Sequence, residues 1–484
     1  MNHFNLPSWA EVCKEFQRIW GYDDFRFPQG EIVQSLLIGQ DALVIMPTGG
    51  GKSICFQLPA LLKGGLTIVI SPLIALMENQ VQELRNLNLA AGVIHSQMPR
   101  EQRQRILAAL THNKLRLLYI SPETLFNETL WNVISQPDVQ INGLIVDEAH
   151  CLVQWGETFR PAYRRLGTVR RALLKEKPPG TIIPIAAFTA TADPTAQTVI
   201  TEVLELQEPE CFLVNPYRDN LLLKTQTVCT PKRRQQEVLK FLKQHSGETG
   251  LIYVRTRQDS EELATFLQEL DYQTLPYHAG LDSAERRGIE QLWLNDRIKF
   301  VICTSAFGMG VNKANVRWVL HFQAPLLLSE YVQEVGRAGR DGQLATALTL
   351  VSEPTGLLDT GDRQRWRYFL NTARSQSQKA EQLIHRIPPK GEIEDVVKSY
   401  PDGAIALAIL HARGQLTWLD PFRYQLNLSV KVPNTDHYRQ GAEQMRQYLK
   451  SRGCRWRFIL LAFGFPPPNT SWRCGHCDRC RGKK

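Results

Sequence analysis

Apolar residues along this chain fall first into short continuous runs and only later into helical spacing. Runs at 43–46, 66–70, 117–120 and 144–146, and a β-rich run leading into 187–192, are rich in branched side chains. Such runs predict strands of a parallel sheet buried on both faces. A second set begins at 250–254 and continues at 300–303. After about Ser352 the strand–helix rhythm gives way to charged sequence with helical spacing. Within it, 392–400 and 404–413 predict two helices, and 415–419 and 422–428 a hairpin turning at Asp420 and Pro421. Two helices and a hairpin suggest a small winged-helix-like unit. No apolar run approaches the ~18 residues that a membrane span requires, and the start lacks the basic, apolar, then small pattern of a secretion signal.

The first strand breaks at Pro47 into a loop with Thr48, Gly49, Gly50 and Gly51, and Lys52 and Ser53 then open a helix. Strand, glycine loop and helix N-terminus together make an anion site, because glycines let backbone N–H groups turn in on a phosphate. Lys52 would supply charge at the β- and γ-phosphates of ATP, and Ser53 a Mg²⁺ ligand. Met46 stands where the first glycine of such loops is usual. One short helix upstream, Tyr22 offers a ring for a base, and Arg26 and Gln29 offer hydrogen bonds to an adenine edge.

The strand at 144–146 runs directly into Asp147 and Glu148. Asp147 can hold Mg²⁺ and Glu148 can take the proton of an attacking water. Adjacent carboxylates after a buried strand each need compensation, which favours catalysis over a structural role. Thr189 and Thr191 suit linking this pair to a neighbouring strand end. Ser71 and Ser121 follow strands in Ser-Pro loops, where hydroxyls can meet nucleic-acid phosphates or simply cap helices. In the second half, Gly308 and Gly310 permit close backbone approach, and Arg337 and Arg340 share a helix face or loop edge.

Of ten cysteines, six are scattered singly, while Cys454, Cys474, Cys477 and Cys480 gather near the end. Their spacing suits a closed tetrahedral Zn²⁺ site, with His476 a less economical ligand. The net charge of +9 favours a polyanionic partner, and from Ser451 onward eight basic residues face only Asp478.

Together these motifs resemble a superfamily-two helicase, and residues 147–163 look specifically like a RecQ-type DNA helicase. The resemblance implies an α/β fold of two tandem RecA-like parallel-sheet domains, then a helical zinc-binding module with the small winged-helix-like unit inserted. Expected boundaries are 1–208 for the ATP-binding domain, 209–352 for the second, 353–387 for the start of the zinc-binding region, 388–432 for the insertion and 433–484 for the zinc module. It further implies that Gln154, Trp155, Phe159, Arg160 and Tyr163 form an aromatic-rich loop that senses single-stranded DNA, and that Arg340, beside Arg337, is the arginine finger. Aromatic faces stack on bases without sequence preference, so the loop is physically plausible.

The expected activity is ATP-dependent 3′→5′ translocation and unwinding, in DNA repair or recombination and in the cytoplasm at the nucleoid. Partners would be single-stranded and tailed or forked duplex DNA, with single-strand-binding or recombination proteins. Alternatives are a DNA-stimulated ATPase that remodels complexes with little unwinding, or a zinc-bearing DNA-binding scaffold with an ATP switch. The chain departs from the family pattern in the insertion and in stopping at Lys484, before the winged-helix and HRDC-type domains that often follow. The hairpin aromatics Trp418, Phe422 and Tyr424 suggest either a strand-separating wedge or a packing module.

Overall fold

The computed structural model describes residues 7–153, 160–307, 311, 313–430 and 437–481. They form two compact units, one built on Met1–Met46, Gly50–Val214 and Thr372–Thr435, the other on Pro47–Gly49, Asn215–Asn371 and Asp436–Lys484.

The core of the first unit is a seven-stranded parallel sheet. Its strands are β1 (Ala42–Ile45), β2 (Leu66–Ile70), β3 (Ala91–Ile94), β4 (Leu117–Ile120), β5 (Ile141–Val146), β6 (Ile185–Thr189) and β7 (Glu210–Leu213), in the order β3-β4-β2-β5-β6-β1-β7. The four central runs named from the sequence sit inside this sheet, buried on both faces as continuous apolar strands should be. Because β1 lies between β6 and β7, and β5 beside β6, the sheet brings the carboxyl ends of β1, β5 and β6 side by side. At the opposite, amino ends of these strands Asp41 ties β1 to β6: its carboxylate takes Arg170 Nη1 at 2.7 and 2.8 Å and the Ile185 and Gln207 amides.

The second unit holds a six-stranded parallel sheet of β8 (Leu221–Val228), β9 (Gly250–Tyr253), β10 (Pro276–Tyr277), β11 (Phe300–Cys303), β12 (Trp318–His321) and β13 (Ala345–Ser352), ordered β10-β11-β9-β12-β13-β8. Gly250 is required where it stands, since a Cβ there would lie 2.1 Å from the Trp318 ring.

The insertion belongs to the first unit. It comprises helices Ile393–Ser399 and Gly403–Ala412 and an antiparallel sheet of β14 (Lys390–Glu392), β15 (Leu416–Trp418) and β16 (Arg423–Leu426), ordered β14-β16-β15. Trp418 is 4% exposed and Tyr424 fully buried in its small core. Phe422 packs edge-on against Trp131 (5.3 Å) and Phe126 (6.4 Å). Of the two uses open to these three rings, packing is the one the structure shows, since each is seated against neighbouring side chains. Among the described residues, no helix is long and apolar enough to cross a membrane.

Candidate active site and metal centre

Gly49 and Gly51 adopt φ of +83° and +77°, the left-handed conformation that lets the loop after β1 fold over. Gly51 precedes the helix Lys52–Leu62 with no side-chain cap, so the helix N-terminal N–H groups remain for an anion. The Lys52 ammonium nitrogen is buried and has no hydrogen-bond partner among the described residues. A buried cation in that state is costly unless a ligand anion meets it, and a nucleotide phosphate fits. Gln29 braces the loop from behind. Its Nε2 donates to the Gly50 carbonyl (3.1 Å) and its Oε1 accepts the Arg26 amide (2.9 Å). Nε2 also reaches the Gly51 carbonyl (3.5 Å), so the amide is committed chiefly to the loop and keeps one lone pair of Oε1 beyond these contacts. Tyr22 is 52% exposed, open to a base, and Arg26 is exposed beside it.

At the end of β5, Asp147 is buried, with Oδ2 accepting the Ser71 hydroxyl (3.4 Å) and Oδ1 the Glu148 amide (3.0 Å). Burial and the neighbouring Glu148 push its pKa up to about 6, against the pull of Lys52. A carboxylate so short of positive charge suits a divalent cation, which would hold it ionised. The Ser53 hydroxyl, accepting Gln80 Nε2 at 2.9 Å, is the second ligand this arrangement offers.

Glu148 sits at φ +49°, a left-handed conformation unusual outside glycine and tolerated mainly where function requires it. Its carboxylate lies 3.1 Å from His150 Nδ1, which also lies 3.1 Å from Thr189 Oγ1 at the end of β6. Burial lowers the imidazole pKa, but Cys151 and Glu148 outweigh it and push it up to about 10. Thr189 thus joins the carboxylate pair to the adjacent strand as expected, though through His150. That histidine was not singled out in the sequence, and its position two residues past Glu148 was the available signal.

Comparison with known proteins now bears on this site. Residues 27–199 match the DEAD/DEAH box helicase family model, and residues 233–342 the helicase conserved C-terminal domain. The ATP-dependent DNA helicase RecQ of Synechocystis is 53% identical over 465 residues, covering 96% of this chain and 97% of that protein. The chain belongs to the RecQ family of ATP-dependent DNA helicases. A second RecQ relative, from Haemophilus influenzae, is 40% identical over 72% of this chain, and this chain covers 54% of that longer protein.

Two solved helicases share the fold of this RecQ family member. One is the DEAD-box helicase Mss116 bound to ssRNA and UDP-BeF (TM-score 0.59, 16% identity, 72% of this chain and 73% of that one). The other is Mycobacterium smegmatis Lhr bound to ssDNA and AMP-PNP (0.56, 20%, 70% and 47%). Both sheets are thus RecA-like domains.

Of the DNA-contact residues expected for a RecQ helicase, Gln154, Trp155 and Phe159 lie outside the described residues. Tyr163 is corrected. It is fully buried, and its hydroxyl donates to the Asp147 carbonyl (3.1 Å), so its ring cannot stack on a base. Ser71 is also corrected, being 1% exposed with its hydroxyl committed to Asp147. Ser121 takes the capping use, accepting the Thr124 amide (3.2 Å) at the start of helix Pro122–Leu125. Arg160 straps its segment down, with Nη2 donating to the Pro72 carbonyl (2.8 Å) and Nη1 lying 3.3 Å from Glu123.

In the second unit, Arg337 is buried and Arg340 half-buried just past helix Leu328–Val335. Burial and the adjacent Arg337 pull the Arg340 pKa down to about 10. The nearby Glu334 is already committed, bidentate to Arg255 (2.7 and 2.9 Å) and 2.9 Å from His321.

The ligand atoms of Cys454, Cys474, Cys477 and Cys480 lie within 4.8 Å of one another, which fits a single Zn²⁺. Backbone amides aim at the sulfurs: Cys474 N to Cys454 Sγ, Cys477 N to Cys474 Sγ (both 3.3 Å) and Arg455 N to Cys477 Sγ (3.4 Å). Such donors favour thiolates. His476 is not among the ligand atoms gathered within 4.8 Å, and its Nδ1 turns to the Cys474 carbonyl (2.7 Å), so the four cysteines are the set that would hold the ion. The knot is tied to β8, for Asp478 accepts the Thr225 amide (3.1 Å) and Arg455 Nε (3.0 Å), and Trp456 donates to the Leu221 carbonyl (3.1 Å).

Proposed function

We propose that this RecQ-family helicase couples ATP hydrolysis to 3′→5′ translocation along single-stranded DNA and to unwinding of tailed or forked duplexes. In that role Lys52 and the loop amides hold the phosphates, and Ser53 and Asp147 hold a Mg²⁺ that neutralises charge on them. Glu148 orients a water and takes its proton, while His150 and Thr189 keep the carboxylate aimed. Residues 154–160 sense the strand. The observation that carries this reading is the Tyr163 hydroxyl on the Asp147 carbonyl, which joins the sensing segment to the catalytic strand end. Repair or recombination at the nucleoid, with single-strand-binding or recombination proteins as partners, completes the reading.

Strand displacement on duplexes with 3′ or 5′ tails, run beside ATP turnover with and without DNA, tests it. Unwinding restricted to 3′ tails is expected, and preference for 5′ tails would reverse the polarity. Trp155→Ala should keep basal turnover and lose most of its DNA stimulation; unchanged stimulation would end the sensing assignment. Arg340→Ala should lower kcat by about 10³–10⁵, the contribution of an arginine finger. Near-normal turnover would move that role to Arg337 or elsewhere. The packed hairpin favours, as a second reading, a DNA-stimulated remodelling ATPase, which would hydrolyse ATP on DNA yet displace no strand.

A further inference from the structure

The inserted unit touches the first RecA-like domain at one place that matters for catalysis. Tyr163, whose hydroxyl holds the Asp147 carbonyl, lies in the 3-10 helix Pro161–Arg165. The two ends of this short segment are anchored differently. Its leading end is held by Arg160, through Pro72 and Glu123. Its trailing end is held by Arg165, whose guanidinium lies 4.2 Å from the centre of the Phe126 ring and donates from Nη1 to the Pro421 carbonyl (3.0 Å). Pro421 and the neighbouring Phe422 are the tip of the inserted hairpin. Phe422 fills the angle between Phe126 and Trp131, and Arg171, on the helix that follows, donates to the Trp418 carbonyl. Glu123 lies in the first turn of the one-turn helix Pro122–Leu125 and Phe126 caps its end, so Arg160 and Phe422 grip one piece of framework.

We propose that the hairpin tip is a positioning element for DNA-stimulated ATP hydrolysis. By seating Phe422 against Phe126 and Trp131 and offering the Pro421 carbonyl to Arg165, it fixes the trailing end of the Tyr163 segment. A change at the DNA-sensing end is then passed to Asp147 instead of being lost as movement of the segment. Phe422 and Arg165 are positioning residues acting through Tyr163. This inference rests on the reading of 154–160 as the DNA sensor.

The test uses the full chain, measuring ATP turnover with and without saturating single-stranded DNA. Phe422→Ala should keep DNA-free turnover within about twofold, yet lower stimulated kcat about threefold to tenfold, as loss of one coupling contact does. The KM for ATP should stay unchanged, and Phe422→Leu, which refills part of the socket, should regain most of the stimulation. Arg165→Met keeps the stem over Phe126 and removes the donor to Pro421, so it should reproduce the loss without emptying the socket, even if Phe422→Ala melts early. Parent-like stimulation in both variants overturns the proposal, as does an equal fall of basal and stimulated turnover in Arg165→Met. Trp155→Ala run alongside separates the two levels. If it retains full stimulation, the sensor reading fails and takes this inference with it. If it loses stimulation while Phe422→Ala and Arg165→Met keep theirs, this inference alone fails.

Discussion

Glu148→Gln is expected to slow DNA-stimulated ATP turnover by roughly 10²–10⁴, the usual contribution of a positioned general base, while nucleotide binding persists. The substitution keeps the size of the side chain and an oxygen able to meet His150, now 3.1 Å away. The glycine loop, Lys52 and Asp147 do not depend on the Glu148 carboxylate for their placement, since Asp147 is held by the Ser71 hydroxyl and the Glu148 backbone amide. What glutamine cannot do is accept a proton from water. Steady-state turnover, read beside titration with a fluorescent ATP analogue, separates the two effects. Slow turnover with retained binding assigns the base to Glu148. Turnover within a small factor of the parent would place the base elsewhere, and lost binding would mean that the variant had disturbed the loop.

The parts of this fold that were legible in the sequence are those where burial leaves a compositional mark. Strands β1, β2, β4 and β5 are buried throughout or nearly so, and a strand covered on both faces must be apolar at every position. Burial alone did not suffice, for β3 and β12 are buried at every position and are not among the predicted runs, while other strands lack the mark altogether. In β7 only Phe212 is buried, because the strand lies at the sheet edge, and β14 is Lys390, Gly391 and Glu392, with no apolar side chain at all. β14 exists because β16 is there to pair with it, a fact of tertiary context.

The site divides the same way. The glycine loop and the carboxylate pair are contiguous in sequence and chemically unusual, so spacing alone exposed them. Tyr163, Ser71 and Phe422 each carry a group with two opposite uses. A tyrosine ring can stack on a base or bury itself around a hydroxyl bond, and a serine hydroxyl can face a phosphate or a carboxylate. The choice depends on which side of the sheet edge the residue falls, and periodicity in a loop does not reveal that. The buried hydroxyl of Tyr163 is the more informative outcome, because it connects the segment 160–165 to the end of β5 that carries Asp147 through a bond rather than through proximity.

Loss of the Zn²⁺ that the four cysteines would hold should have the largest effect on stability. Cys477→Ser, or exhaustive chelation of the parent, is expected to remove zinc and lower the melting temperature of the second unit steeply, since structural zinc contributes on the order of 10 kcal/mol in isolated zinc modules. Without the ion, four sulfurs within 4.8 Å of one another, two of them on the buried residues Cys454 and Cys477, lose the charge that holds them together. The disturbance would travel along named bonds. Arg455 is fully buried, follows Cys454 directly and donates from its backbone to Cys477 Sγ, while its guanidinium and Asp478 hold Thr225 on β8. Trp456 ties the next residue to Leu221 on the same strand. Loosening the knot therefore loosens an edge strand of the second sheet, so ATP turnover should fall with stability rather than independently of it. His476→Ala is the control, because its Nδ1 serves only the backbone of the knot; it should retain one zinc per chain by elemental analysis and melt close to the parent. A metal-free Cys477→Ser protein that melts like the parent would show that the second unit is held by packing alone. Zinc lost from His476→Ala would put the imidazole into the ligand set in place of one cysteine.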